Sequence, residues 1–169
     1  MPSDALKGHL AMTTAALVQA TSDAEFGVAR ALFVEYSEQL GVDLCFQGFA
    51  AELDALARMY APPSGCLILA QEAQDYVGCV GVRRISDHVC EMKRLYVRNA
   101  LRGSGLGGRL AQAAIDAARA IGYRRMVLDT LAGMTAARGL YATLGFAQIP
   151  AYYKNPMQGV MYMALELAS

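Results

Sequence analysis

A chain of 169 residues with 55% hydrophobic side chains is long enough to bury one sizeable core and short for two. Its fifteen basic and fifteen acidic side chains cancel, which argues against nucleic acid or an anionic membrane as a partner. No apolar run approaches the length of a membrane span. We therefore expect a single domain over residues 1–169.

Residues 10–20 form an alanine-rich stretch after Lys7 and faintly resemble a secretory signal peptide. Asp4 offsets Lys7 and two threonines interrupt the apolar run, so we favour a loose leader over residues 1–14 that continues into an edge strand.

The cysteines Cys45, Cys66, Cys79 and Cys90 are dispersed and form no CxxC pair. This spacing argues against a zinc site, and we predict no metal. Free buried thiols in a reducing cytosol are the favoured interpretation, so the predicted location is cytoplasmic.

Apolar side chains at three- and four-residue spacing predict two helices at 24–40 and 49–60, the second ended by Pro62-Pro63. Strand-like runs at 65–72, 76–85 and 88–97, separated by short turns, predict an antiparallel meander. The rest of the chain predicts a helix at 105–121, a strand at 125–130, a helix at 134–144 and strands at 145–149 and 160–167. This order predicts a mixed α/β (α+β) fold with a single twisted, mainly antiparallel sheet flanked by helices.

A glycine-rich turn, Arg102-Gly103-Ser104-Gly105-Leu106-Gly107, lies between the third meander strand and the next helix. Glycines let backbone amides approach a ligand, and amides at a helix N-terminus bind phosphate. Tight turns also need glycine, so the loop alone is weak evidence. No lysine follows, which excludes a P-loop, and the GxGxG spacing excludes a dinucleotide fingerprint. The turn suits the pyrophosphate of another nucleotide-like ligand.

Leu95-Tyr96-Val97 with this turn resembles the R/Q-x-x-G-x-G/A loop of the GCN5-related N-acetyltransferase superfamily. A second match, Ala137, Tyr141 and Gly145-Phe146, resembles its A-x-x-x-Y-x-x-x-GF block. Two motifs in this order are more specific than either alone, and the resemblance spans roughly residues 15–167. It implies the fold of that superfamily and acetyl-CoA as acyl donor. The implied cofactor contacts are Leu95, Tyr96, Val97, Arg102, Gly103, Ser104, Gly105, Leu106, Gly107, Met134 and Tyr141.

Two positions depart from the pattern of that superfamily. Asn99 stands where proline is frequent, and Met134 stands where many relatives have an asparagine that binds the pantetheine arm. The asparagine contact is therefore in doubt for this chain.

The implied reaction is direct attack of a primary amine on the thioester through a tetrahedral intermediate. An alkylamine is neutral in only about one part in 2,500 at pH 7, so the reaction needs a base. In the resembling family a backbone amide of the strand at 95–97 stabilises the oxyanion. Tyr141 would protonate the departing thiolate, although a packing role also fits.

Glu91 is the candidate base, since some relatives carry a catalytic glutamate on this strand. An ion pair with Lys93 or Arg94 explains it equally well, and ordered waters could replace it. Alternation groups Glu91 with Lys93, Leu95 and Val97, unless a bulge changes the facing.

The acceptor pocket is expected between the first two helices and the segment before the last strand. Its candidate residues, each of which also fits core or surface, are Tyr36, Phe46, Tyr60, Tyr153 and Asn155. The predicted acceptor is a small-molecule amine. Alternatives are a protein N-terminus or lysine, a non-catalytic acyl-CoA sensor, or a structural subunit. The apolar last strand makes a homodimer plausible.

Overall fold

The computed structural model describes residues 15–44 and 48–167. Its helices are α1 Asp23–Leu40, α2 Phe49–Asp54, α3 Leu56–Tyr60, α4 Leu106–Ile121 and α5 Thr135–Thr143. Its strands are β1 Ala16–Gln19, β2 Cys66–Glu72, β3 Asp75–Arg84, β4 Val89–Val97, β5 Arg125–Leu131, β6 Ala147–Ile149 and β7 Val160–Glu166. The predicted boundaries agree to within two residues, except that Ala55 divides the second predicted helix into α2 and α3.

The strands form one seven-stranded sheet in the order β1-β2-β3-β4-β5-β7-β6. All neighbours are antiparallel except β4 and β5, which confirms the predicted mixed fold with a mainly antiparallel sheet. β7 lies between β5 and β6, so the outer strands are β1 and β6. The last strand in the chain, β7, is therefore internal to the sheet, because β5 and β6 both pair with it, and the homodimer stays a prediction.

Helices cover the two faces of the sheet and divide the core. On the α4 face, Leu106, Leu110 and Ala114 of α4 pack against β2, β3 and β4. On the α1 face, α1 and α3 enclose a second cluster that includes Phe33 and Tyr60. None of the helices in the described chain is both long and apolar enough to span a bilayer.

Local sequence explains where α1 begins and ends. Ser22 and Glu25 form a capping box: the Glu25 amide donates to Ser22 Oγ at 3.1 Å, and the Ser22 amide donates to Glu25 Oε1 at 3.0 Å. Gly41 closes the helix with φ of 68°, in the left-handed region.

The three cysteines of the described chain, Cys66, Cys79 and Cys90, are buried and free, as predicted. Burial raises the pKa of the Cys90 thiol to about 12, so this side chain stays protonated and packs as a small apolar group. Cys45 lies outside the described residues, as does the predicted leader at 1–14.

β4 contains a bulge opposite β3. Cys79 pairs with Tyr96 and Gly81 with Lys93, so β4 carries one more residue than β3 between these pairs. Arg94, within the bulge, has φ of 59°, which is uncommon for a side chain other than glycine. The extra residue reverses the facing of every side chain that follows it.

This reversal changes which side chains share a face. Leu95 and Val97 pack into the α4-face core, whereas Tyr96 belongs to the α1-face core. Glu91 and Lys93 are on one face, with 3.8 Å between carboxylate and ammonium. The alternation that grouped Glu91 with Leu95 and Val97 is therefore wrong, and the bulge is the reason.

A gap opens in the sheet between β4 and β5. Their parallel ladder joins only Val89, Cys90 and Glu91 to Arg125, Met126 and Val127. Beyond these pairs the two strands diverge, since no further ladder joins the described residues that follow. Side chains from both faces of the sheet can therefore meet in this gap.

Candidate functional site

The glycine loop joins β4 to α4 through a 3₁₀ turn, Asn99–Leu101. Gly103 and Gly105 have φ of 81° and 86°, which side-chain-bearing residues rarely adopt. Five backbone amides of the loop and of the first turn of α4 donate to no acceptor within the described chain. They are the amides of Gly103, Gly105, Leu106, Gly107 and Gly108. An anion placed before α4 would meet these donors and the positive end of the helix dipole.

The polar side chains of the loop stabilise its shape. Arg102 Nε donates to the Val97 carbonyl at 3.2 Å, and its Nη2 donates to Gln39 Oε1 at 2.8 Å. Ser104 Oγ donates to the Leu101 carbonyl at 2.5 Å. Arg102 therefore ties the loop to β4 and to α1 while its positive charge remains beside the free amides.

A cleft, here called the reaction cleft, occupies the gap between β4 and β5. It receives side chains from both faces, including Tyr36 of α1 and Tyr141 of α5. A neighbouring depression shares Leu95 and Met134 with it and reaches Arg102. The two adjoining cavities, here called the path, together extend from Arg102 of the glycine loop to the gap.

Met134 lies along this path, where the sequence left a pantetheine contact in doubt. Its sulfur accepts a hydrogen bond from Thr130 Oγ1 at 3.8 Å. Leu95 borders both parts of the path, and Tyr96 lines the depression while its hydroxyl donates to Glu35 at 3.2 Å. Apolar and sulfur atoms thus line much of the middle of the path.

Tyr141 reaches the reaction cleft from α5. Its ring packs edge-to-face on Phe146 at 5.7 Å between centroids, and only 7% of the residue is exposed. Burial, followed by the charges of Tyr36 and Asp129, raises the pKa of Tyr141 above its usual range. The raised pKa keeps the hydroxyl of Tyr141 protonated at neutral pH. This hydroxyl donates to no other residue of the described chain, so it is available to a ligand.

Asp129 is a functional candidate that the motifs did not reveal. It lies on β5, borders the reaction cleft, and accepts a hydrogen bond from the Tyr153 hydroxyl. Asn155 Nδ2 donates to Tyr153 Oη at 2.9 Å, which fixes the ring. The sequence did contain one indication of Asp129, because it is a carboxylate within the largely apolar strand 125–131. Acidic side chains are rarely buried in such a strand unless they have a partner.

Glu91 lies outside the lining of the reaction cleft. It is 1% exposed, and its Oε1 accepts from Arg83 Nε at 2.7 Å. Its Oε2 accepts from the Tyr152 hydroxyl at 2.5 Å. The ion pair foreseen as the alternative for Glu91 exists with Lys93, while Arg83 replaces Arg94 as its arginine partner.

Arg94 pairs instead with Glu52 of α2. Its Nε and Nη2 donate to the two carboxylate oxygens at 3.1 and 2.8 Å, and both side chains are almost fully buried. The guanidinium lies 5.1 Å from the Phe49 ring centroid and 5.9 Å from that of Tyr36. This pair anchors the bulge of β4 to α2 beside the reaction cleft.

The acceptor candidates separate into distinct groups. Tyr36 and Asn155 line the reaction cleft, and the Tyr153 hydroxyl donates to Asp129 and accepts from Asn155 Nδ2. Tyr60 is fully buried, donates to Glu52 Oε2 at 3.0 Å, and belongs neither to the lining of the reaction cleft nor to that of the neighbouring depression. Phe46 lies outside the described residues.

Comparison with known proteins gives consistent results. A sequence model of the acetyltransferase (GNAT) family matches residues 29–146. An uncharacterised N-acetyltransferase of Schizosaccharomyces pombe is 41% identical over 139 residues, covering 81% of this chain and 85% of that protein.

Solved structures of similar architecture are also acetyltransferases. One from Streptococcus agalactiae has a TM-score of 0.74 at 21% identity, covering 90% of this chain and 98% of that chain. One from Salmonella typhimurium, solved with its cofactor acetyl-CoA, has a TM-score of 0.66 at 22% identity and covers 93% of this chain and 96% of that chain. These likenesses concern the fold.

Proposed function

This chain belongs to the acetyltransferase (GNAT) family and is an N-acetyltransferase, and we propose that it transfers acetyl from acetyl-CoA to a small-molecule primary amine in the reaction cleft. The observation that carries the proposal is a pair of adjoining cavities that extend from Arg102, beside five amides without an acceptor in the described chain, to Tyr141 and Asp129. The path has donors for phosphate at one end and proton-transferring groups at the other.

The donor half of the proposal rests on the glycine loop. The pyrophosphate of acetyl-CoA would accept hydrogen bonds from the five free amides of the loop and the first turn of α4, and Arg102 adds positive charge. The pantetheine arm then follows Leu95 and Met134 into the gap between β4 and β5.

The chemistry requires two proton transfers. The neutral amine attacks the thioester carbon, giving a tetrahedral intermediate whose oxyanion a backbone amide of β4 stabilises. The C–S bond then breaks, and Tyr141 gives its proton to the departing thiolate. The proton lost by the amine goes to a carboxylate.

Two carboxylates compete for the role of base. Glu91, the candidate from sequence, has both oxygens engaged by Arg83 and Tyr152. Asp129 borders the same cleft as Tyr141 and also affects the pKa of Tyr141 through its charge. We assign the base to Asp129 because a base must lie within reach of the reacting amine.

The test is release of the coenzyme A thiol in the presence of acetyl-CoA and a panel of primary amines. The wild-type chain forms acetylated amine and free thiol in equal amounts, whereas Tyr141→Phe lowers kcat by about 10²-fold with acetyl-CoA affinity unchanged. Wild-type turnover by Tyr141→Phe would contradict the role of Tyr141. Acetyl-CoA binding without turnover of any amine, lysine peptide or peptide N-terminus would favour a non-catalytic sensor.

A further inference from the structure

A second cavity lies beside the reaction cleft. This tyrosine cavity is bordered by Arg83, Arg84, Glu91, Lys93, Tyr152 and Tyr153. Lys93 lines both this cavity and the reaction cleft. The two spaces therefore adjoin at a buried ammonium group.

Positive charge exceeds negative charge in the tyrosine cavity. Arg83 Nε lies 2.7 Å from Glu91 Oε1, and Lys93 Nζ lies 3.8 Å from the same oxygen, beyond hydrogen-bond distance. The other oxygen of Glu91 is engaged by Tyr152. One carboxylate thus faces two cations, while at the rim Arg84 and Asp87 neutralise each other.

Several donors in the cavity have no acceptor. Within the described chain, the Nη groups of Arg83 and the Nζ of Lys93 donate no hydrogen bond, although the Lys93 side chain is only 8% exposed. Burial lowers the pKa of Lys93 even though Glu91 acts in the opposite direction. The Nζ of Lys93 and the Nη groups of Arg83 are therefore available as donors, and a ligand anion would supply an acceptor for them.

Tyr153 connects this cavity to the proposed base. Its side chain lines the tyrosine cavity, and its hydroxyl donates to Asp129 in the reaction cleft. A ligand with an anionic group at Arg83 and Lys93 would direct its other end toward Asp129. An acidic group at that end would be repelled, whereas an amine would be attracted.

We propose that the tyrosine cavity binds the carboxylate of the acceptor between Arg83 and Lys93, so that the acceptor is an amino acid whose amine lies at Asp129. This assignment rests on the proposed function. The excess of a single positive charge suits a carboxylate better than a doubly charged phosphate, and the guanidinium offers two parallel donors to a planar anion.

The experiment compares acids with their amides as acceptors. Glycine, β-alanine and L-aspartate are each tested against the corresponding amide at saturating acetyl-CoA. We expect kcat/KM for at least one acid to exceed that of its amide about tenfold or more, since a charge-assisted contact is lost in the amide. The amine of each amino-acid amide loses its proton more readily than the amine of the corresponding acid. Chemical reactivity alone would therefore favour the amides as acceptors.

Two variants locate the effect. Lys93→Met and Arg83→Met should each reduce the acid-to-amide ratio toward one, mainly through KM of the acid. Arg119→Gln, which removes an exposed charge from α4, is the matched control and should keep the ratio. A wild-type ratio of one or less, or a ratio that survives both cavity variants, would overturn the assignment.

A binding measurement decides the case in which no acceptor of the panel is acetylated. Calorimetric titration of the coenzyme A-saturated protein with N-acetylglycine, N-acetyl-β-alanine, N-acetyl-L-aspartate and their amides should show tighter binding of an acid, and equal affinities overturn the assignment. Failure of the chain to bind acetyl-CoA would instead refute the proposed function itself. Efficient acetylation of neutral amines alone would refute only the amino-acid assignment.

Discussion

The two ends of the path through the sheet are built in opposite ways. The donor end consists of backbone amides from one continuous segment, residues 102–108, held in shape by two glycines in the left-handed region. The reaction end consists of side chains from separate elements, including Tyr36, Arg94, Asp129 and Tyr141. Changes of side chain should therefore impair chemistry and acceptor binding, whereas changes of backbone conformation should impair acetyl-CoA binding.

The largest expected effect lies at the reaction end. Asp129→Asn removes the proposed base and should lower kcat by about 10²-fold or more, with loss of the acidic limb of the pH–rate profile. Glu91→Gln is the matched control among buried carboxylates, and it should keep that limb. Loss of the acidic limb in Glu91→Gln with its retention in Asp129→Asn would assign the base to Glu91 instead.

The buried pair that anchors the bulge should have the next largest effect, on stability. Glu52→Gln leaves the Arg94 guanidinium without a counter-charge and should lower the free energy of unfolding by about 3–5 kcal/mol at pH 7. Glu35→Gln, which breaks the half-exposed pair with Arg98, should cost at most about 1 kcal/mol. Equal losses in denaturant unfolding of the two variants would contradict the importance of burial at Glu52.

The effect of Glu52 also has a defined pH dependence. Burial raises the pKa of Glu52, but the hydrogen bonds and charge of Arg94 outweigh it and hold that pKa below its ordinary value. A carboxyl group whose pKa is lower in the folded state than in the unfolded state stabilises the fold at pH values above its unfolded-state pKa. This stabilisation is lost as the pH falls through the folded-state pKa. The difference in stability between wild type and Glu52→Gln should therefore be full at neutral pH and shrink below about pH 4. A difference that grows as pH falls would contradict the charge pair.

A smaller effect is expected at the donor end. Gly105 begins α4 with φ of 86°, so Gly105→Val should displace the free amides and weaken acetyl-CoA binding about tenfold, with little change in KM of the amine. Gly27→Ala is the matched control, because Gly27 lies within α1 with open space around it. Calorimetry with acetyl-CoA measures both, and unchanged affinity in Gly105→Val would contradict a backbone-built site.

The contrast between the two ends explains how much could be predicted from sequence. Hydrophobic spacing and turns placed the helices and strands, and the donor loop was recognisable because its residues are consecutive. The bulge at Arg94 could not be predicted, because the partner of its guanidinium, Glu52, is 42 residues away in the chain and meets it only in the fold. Asp129 and Lys93 were missed for the same reason, because their neighbours come from other parts of the chain.

The smallest expected effect concerns the side chain that supports the proposed base. Tyr153→Phe removes one hydrogen bond to Asp129 and should change KM of the amine and kcat by only a few-fold, because Asp129 itself remains. Tyr162→Phe is a suitable control, since the contact of its hydroxyl with the Tyr153 carbonyl is long, at 3.5 Å. A loss as large as that of Asp129→Asn would make Tyr153, rather than Asp129, the group that handles the proton.

The most direct test is a crystal structure of the chain with acetyl-CoA bound. We expect pyrophosphate oxygens within hydrogen-bond distance of the free amides of Gly103, Gly105 and residues 106–108. We expect the thioester in the gap between β4 and β5, with Tyr141 near the sulfur and Asp129 on the acceptor side. Phosphates bound away from the glycine loop, or a thioester remote from Tyr141 and Asp129, would contradict the division into a donor end and a reaction end.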